Sequence, residues 1–109
     1  MLKWSSKLFV GQFAPPLFQV QRALMDEKPP KGVYLVVLSE KEEELLTIYP
    51  LAEFRKSHMQ EQDFYVVGVV RGQTLANRFV RDLIDEVYGA TGGFDLKGWY
   101  AGSFEEDQA

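Results

Sequence analysis

Residues 64–89 read FYVVGVVRGQTLANRFVRDLIDEVYG, and this stretch decides the fold. Phe64 to Val70 is β-branched and almost wholly apolar. That composition suits an interior strand covered on both faces. Gly68 inside the run marks a close approach by a neighbouring element. Arg71-Gly72-Gln73-Thr74 then breaks the strand, with Thr74 placed as a helix N-cap. From Leu75 to Tyr88 the apolar residues fall in two adjacent rows, Leu75, Phe79, Leu83, Val87 and Ala76, Val80, Ile84, Tyr88. Asn77, Arg78, Arg81, Asp82, Asp85 and Glu86 occupy the other side. This is an amphipathic helix that lays one broad stripe on a sheet. Gly89 or Gly92 supplies a left-handed stop.

Upstream, Val33 to Leu38 is a second strand run and Leu45 to Tyr49 a third, with the polar Ser39–Glu43 turn between them. Two such runs across a short polar loop predict a β-hairpin. Pro50 opens a short helix over Leu51 to Gln60, carrying Leu51, Phe54 and His58 at helical spacing. Lys7 to Phe13 reads as a strand or an extended arm. Pro15-Pro16 opens a helix over Leu17 to Lys28, which Pro29-Pro30 must end. The acidic stretch from Ser103 to Ala109 has little to bury and is expected to fray. The chain therefore predicts a single α+β domain over residues 1–109. Its architecture is a two-layer sandwich, a small mixed or antiparallel sheet with helices mainly on one face. Residues 1–31 form an N-terminal arm and helix.

The chain has 109 residues, 12 basic and 16 acidic side chains and a net charge of −4. Residues 1–31 hold five basic and two acidic groups, for +3. Residues 32–109 hold seven and fourteen, for −7. An acidic body argues against nucleic-acid binding, which rests on cations neutralising phosphates. Arg71, Arg78 and Arg81 are the residues that such a reading would use. The absence of cysteine excludes disulfides, thiolate metal sites and cysteine nucleophiles. With no secretory leader pattern in Met1 to Gln12, it places the protein in the cytoplasm by default. No apolar run is long enough for a membrane helix, so no membrane partner is expected.

Little of the sequence carries chemistry. His58 is the single histidine, and no Gly-x-Ser-x-Gly elbow accompanies it. It reads as a half-buried helix residue. Glu40, Glu42, Glu43 and Glu44 cluster at the hairpin tip without calcium-loop spacing, so they read as a solvated turn and not as a metal site. Gly89 to Gly98 holds four glycines, but it follows a helix and so faces the wrong dipole end for an anion. Arg71-Gly72-Gln73-Thr74 precedes a helix but matches no phosphate-loop pattern. No catalytic residue, metal or cofactor is assigned. The surplus is aromatic: eight Phe, five Tyr and two Trp, or 14% of the chain. Trp4, Phe9, Phe13 and Phe18 crowd the N-terminal arm, and Trp99 and Tyr100 follow the glycine loop. These six are the candidate interaction residues, on the grounds that rings outside the clear core elements find cover in another molecule or in the same sheet.

Residues 64–99, FYVVGVVRGQTLANRFVRDLIDEVYGATGGFDLKGW, and the VYLVVLS strand resemble parts of small uncharacterised Firmicutes-type bacterial proteins. The resemblance covers about two thirds of the chain, mainly residues 33–100. It implies a compact α+β intracellular protein and assigns no catalytic residue. The favoured expectation is a non-enzymatic cytosolic interaction or accessory module that self-associates as a homodimer, its partner being protein. The alternative is a small-molecule-binding regulatory domain or a minor carboxylate-dependent enzyme. Its pocket would lie between the 75–88 helix and the glycine loop, with Arg71 and Asp95 as polar anchors.

Overall fold

The computed structural model describes residues 2–25, 30–41 and 44–104. Four strands form one sheet: β1 (Leu2–Val10), β2 (Val33–Leu38), β3 (Leu46–Pro50) and β4 (Phe64–Arg71). Their spatial order is β1-β4-β2-β3. β2 runs antiparallel to both β3 and β4, and β1 runs parallel to β4, so the sheet is mixed. The apolar 64–70 run is an interior strand, as its composition requires, and Val66, Val67 and Val69 have no exposed surface. The β2–β3 hairpin forms as expected. β4 does not lie beside β3; it inserts between β1 and β2, where its two apolar faces find cover on both sides.

The α+β class follows from how the helices cover this sheet. Along β2, Val33, Leu35 and Val37 point to one face and Val36 to the other. Over the face of Val36 lie α3 (Gln73–Thr91) and α4 (Leu96–Trp99). Over the opposite face lie α1 (Leu17–Ala23), a 3-10 turn (Leu51–Arg55) and α2 (Ser57–Gln60). The long helix takes one face as its stripe predicts, and the second face is covered as well, by short helical turns. Ala76, Leu83 and Val87 are the fully covered centre of that stripe, while Phe79, Val80 and Ile84 flank it. Gly72, at φ 91°, occupies the N-cap of α3, so Thr74 lies inside the first turn and does not cap it. Gly92, at φ 77°, ends the helix in the left-handed region. On the other face, Met59 rather than His58 completes the row begun by Leu51 and Phe54; His58 is exposed.

Two irregularities shape the surface. Val37 pairs with Val66 and Val36 with Gly68, so Val67 is an extra residue in β4. This bulge turns Val67 and Gly68 toward the same face, under α3. The second lies in β1, whose ends pair with β4 at Leu2–Trp4 and at Phe9–Val10. Between them the strand leaves β4. Ser5 bridges to Phe104, the Ser6 amide donates to the Ser103 carbonyl at 2.6 Å, and the Ser5 and Ser103 hydroxyls bond at 2.7 Å. Ser103 and Phe104 are therefore buried, and the segment expected to fray from Ser103 is ordered to Phe104. The remainder of that tail, like Glu42 and Glu43 of the acidic turn, lies outside the described residues.

Candidate functional site

Three exposed apolar side chains, Phe9, Phe13 and Leu75, meet where β1 ends against α3; Tyr88 and Phe94 stack on each other at the far end of the helix. Phe9 leaves β1 on the α3 side and stacks on Phe79, ring centroids 4.6 Å apart and planes 9° from parallel. Gly68 makes that stack fit. A methyl group there would lie 2.6 Å from Cε2 of Phe79, so only glycine lets the ring lie flat on the strand. The chain then turns at Gly11–Ala14. The Gly11 amide donates to the Val69 carbonyl at 2.8 Å, and the Ala14 amide donates to the Gly11 carbonyl at 3.1 Å. Nε of Arg71 donates to the Phe13 carbonyl at 2.7 Å. The turn is thus bonded to β4 at both ends, yet the Phe13 ring it carries is 63% exposed. Leu75, at the start of α3, is 37% exposed beside it. Between the turn and the helix runs a groove of about 370 Å³, floored by Val70 and Leu83 and rimmed by Arg78, Asp82 and Glu86.

The six aromatic candidates do not act as one group. Phe9 and Phe13 meet at this groove. Trp4 is half-buried on the opposite face of the sheet, packed into the core beneath α1. Phe18 stands 64% exposed on the outer side of α1. Trp99, the last residue of α4, is half-buried against the core on the α3 side, and Tyr100 is 4% exposed. Tyr100 is therefore a core residue and no contact surface. Its burial, helped by the Glu86 carboxylate, pushes its hydroxyl up to about 12 from 10. Trp4 and Phe9 are five residues apart in β1, so strand alternation by itself sends them to opposite faces.

Arg71 and Asp95 do not share a pocket. They sit at opposite ends of α3, whose 19 residues span about 28 Å. Asp95 is exposed and caps α4 by accepting the Gly98 amide at 2.9 Å. Its carboxylate fills the space where a Gly98 side chain would go, which accounts for that glycine. Arg71 instead belongs to the groove, as the clasp on its turn. Leu75, Arg78 and Phe79 were legible as helix residues; what hid their part in the groove is that a helix stripe wider than its sheet leaves its edge uncovered.

A second concavity, also of about 370 Å³, lies on the other face between β1, α1 and α2. Leu2, Trp4, Leu24, Phe54 and Met59 line it, with Gln21 and Gln60 beside them. Among the described residues, no three or more His, Asp or Glu side chains gather in a way that could hold a metal ion, and no helix is long and apolar enough to cross a membrane. No family model matches the chain, and neither a characterised protein nor a solved structure proves similar to it.

Proposed function

We propose that the protein is a non-enzymatic cytosolic module whose work is association, through the groove of Phe9, Phe13, Leu75 and Phe79. The observation that carries this reading is Phe13, held in solvent on a turn whose backbone is already bonded. A large ring on a fixed backbone loses little freedom when it docks, which is the property of interface anchors. A buried aromatic side chain covers about 200 Å², so the 63% of Phe13 left open is about 125 Å². Covering it would contribute about 3 kcal/mol per copy. Half of that, counted over two copies of a symmetric dimer, is still about 100-fold in Kd.

Sedimentation velocity up to about 100 µM tests the reading, a range that captures weak specific dimers. The expected result is a dimer, lost on Phe13→Ser, with the unfolding midpoint unchanged when both proteins are compared at concentrations dilute enough to be monomeric. A wild-type chain that stays monomeric at the highest concentration overturns it. The concavity under α1 supports a second reading, a regulatory domain for a small apolar ligand, since its size and lining resemble those of ligand pockets. In a Trp99→Phe background, Trp4 emission should then change saturably with 1-anilinonaphthalene-8-sulfonate. A flat titration removes this reading.

A further inference from the structure

We propose that the occupant of the groove is a second copy of this chain, docked antiparallel along α3, with Arg78 of each protomer against Asp82 of the other. This rests on the self-association proposed above and adds its geometry. Arg78, Asp82 and Glu86 follow one another at four-residue spacing, so they form one row along the helix. All three rim the groove. The row is positive at its first member and negative at the next two. Beside it, Arg81 and Asp85 repeat the same order, so the exposed side of α3 is basic in its first half and acidic in its second.

Among the described residues, neither Arg78 with Asp82 nor Arg81 with Asp85 forms an ion pair; the Lys56–Glu53 contact at 2.9 Å is of that kind. A helix that reverses sign along its length is complementary to itself when turned end for end. Parallel docking would oppose like charges, whereas antiparallel docking opposes unlike ones. A two-fold axis near residue 80 sets Arg78 opposite the partner's Asp82, and symmetry repeats the pair. The groove extends from Leu75 to Glu86, so its middle lies at the same level. Charge order and groove position thus select one axis. The Phe9, Phe13 and Leu75 side chains of both copies then close a shared apolar centre, with the charged row at its rim.

The test is a charge swap read by sedimentation, on the full chain. Arg78→Glu alone and Asp82→Arg alone should each weaken the dimer at least about 10-fold, because each creates two like-charge contacts. The double variant R78E/D82R restores the contacts and should dimerise like wild type. An equimolar mixture of the two single variants should form a heterodimer, since each supplies what the other lacks. Unfolding midpoints close to wild type show that these exposed changes leave the fold intact. If wild type dimerises but both single variants dimerise equally well, or if neither the double variant nor the mixture recovers, the antiparallel geometry is wrong and self-association stands. If wild type is monomeric, the underlying reading fails first.

Discussion

Gly68→Ala probes both the fold and the groove. The added methyl would lie 2.6, 3.1 and 3.2 Å from Cε2, Cζ and Cδ2 of Phe79. The first distance is well inside van der Waals contact, so the ring or the strand must move. β4 is the interior strand, hydrogen-bonded on both sides, and yields little. The Phe79 ring must therefore lift, and it lies against Phe9, which is 44% exposed and can be pushed outward. Overpacking of this kind costs about 1–3 kcal/mol. Replacing a strand glycine recovers about 0.5–1 kcal/mol of chain entropy. At the middle of these ranges the net loss is about 1 kcal/mol, or about 4–8 °C in Tm for a domain near this size. The decisive measurement is a double-mutant cycle by chemical denaturation, with Phe79→Leu as the second change. Leucine lacks the Cε2 and Cζ atoms, so Gly68→Ala should be nearly neutral in that background, a coupling of about 1 kcal/mol or more. The dimer should also weaken in Gly68→Ala, because the Phe9–Phe79 stack is part of the groove. A Gly68→Ala protein as stable as wild type, with no coupling to Phe79, would refute the packing described for this face.

Three further outcomes are expected. Tyr100 holds its proton to about pH 12 in the folded chain, against 10 when unfolded. Between those values the folded state binds the extra proton, so stability falls as pH rises through this window, by about 2–3 kcal/mol in all. Tyr100→Phe should abolish that fall in alkaline unfolding curves and delete a tyrosinate absorbance step near pH 12. Ser5→Ala should cost about 1–3 kcal/mol and more than Ser103→Ala, because the Ser5 hydroxyl also accepts the Lys7 amide at 3.0 Å; equal losses in urea titrations would contradict that network. Asp95→Ala should cost about 0.5–2 kcal/mol by uncapping α4 while leaving the sedimentation-derived dimer Kd unchanged. A changed Kd would return Asp95 to a binding role.

The parts of the fold that were legible are those written in continuous local patterns. The β-branched run at 64–70, the two rows of α3 and the hairpin of β2 and β3 each declare themselves within fewer than about twenty consecutive residues. The close approach at Gly68 was legible too, because a lone glycine in an apolar strand needs a neighbour to explain it. What was not legible depends on residues distant in sequence. Nothing local says that β1 pairs with β4, or that Ser103 and Phe104 return to Ser5. The two serines are ordinary in isolation, and only their meeting makes them structural. The groove was half legible. Phe9 and Phe13 stand out as surplus rings, but Arg71, expected with Asp95 as a polar anchor of a ligand pocket, instead donates to the Phe13 carbonyl. Tyr100 resembled Trp99 in sequence yet faces the core, because the one-turn helix α4 rotates neighbours to different sides.

The pairing of β1 with β4 has a consequence for biosynthesis. Residues 2–10 leave the ribosome well before 64–71, the only strand with which they pair. At about 5–20 residues per second, roughly 60 intervening residues take about 3–12 s to translate. Throughout that interval a nine-residue strand bearing Leu2, Trp4, Leu8 and Phe9 emerges without a mate. The nascent chain is thus most open to chaperone capture at residues 2–10, and the sheet can close only after residues 64–71 have emerged.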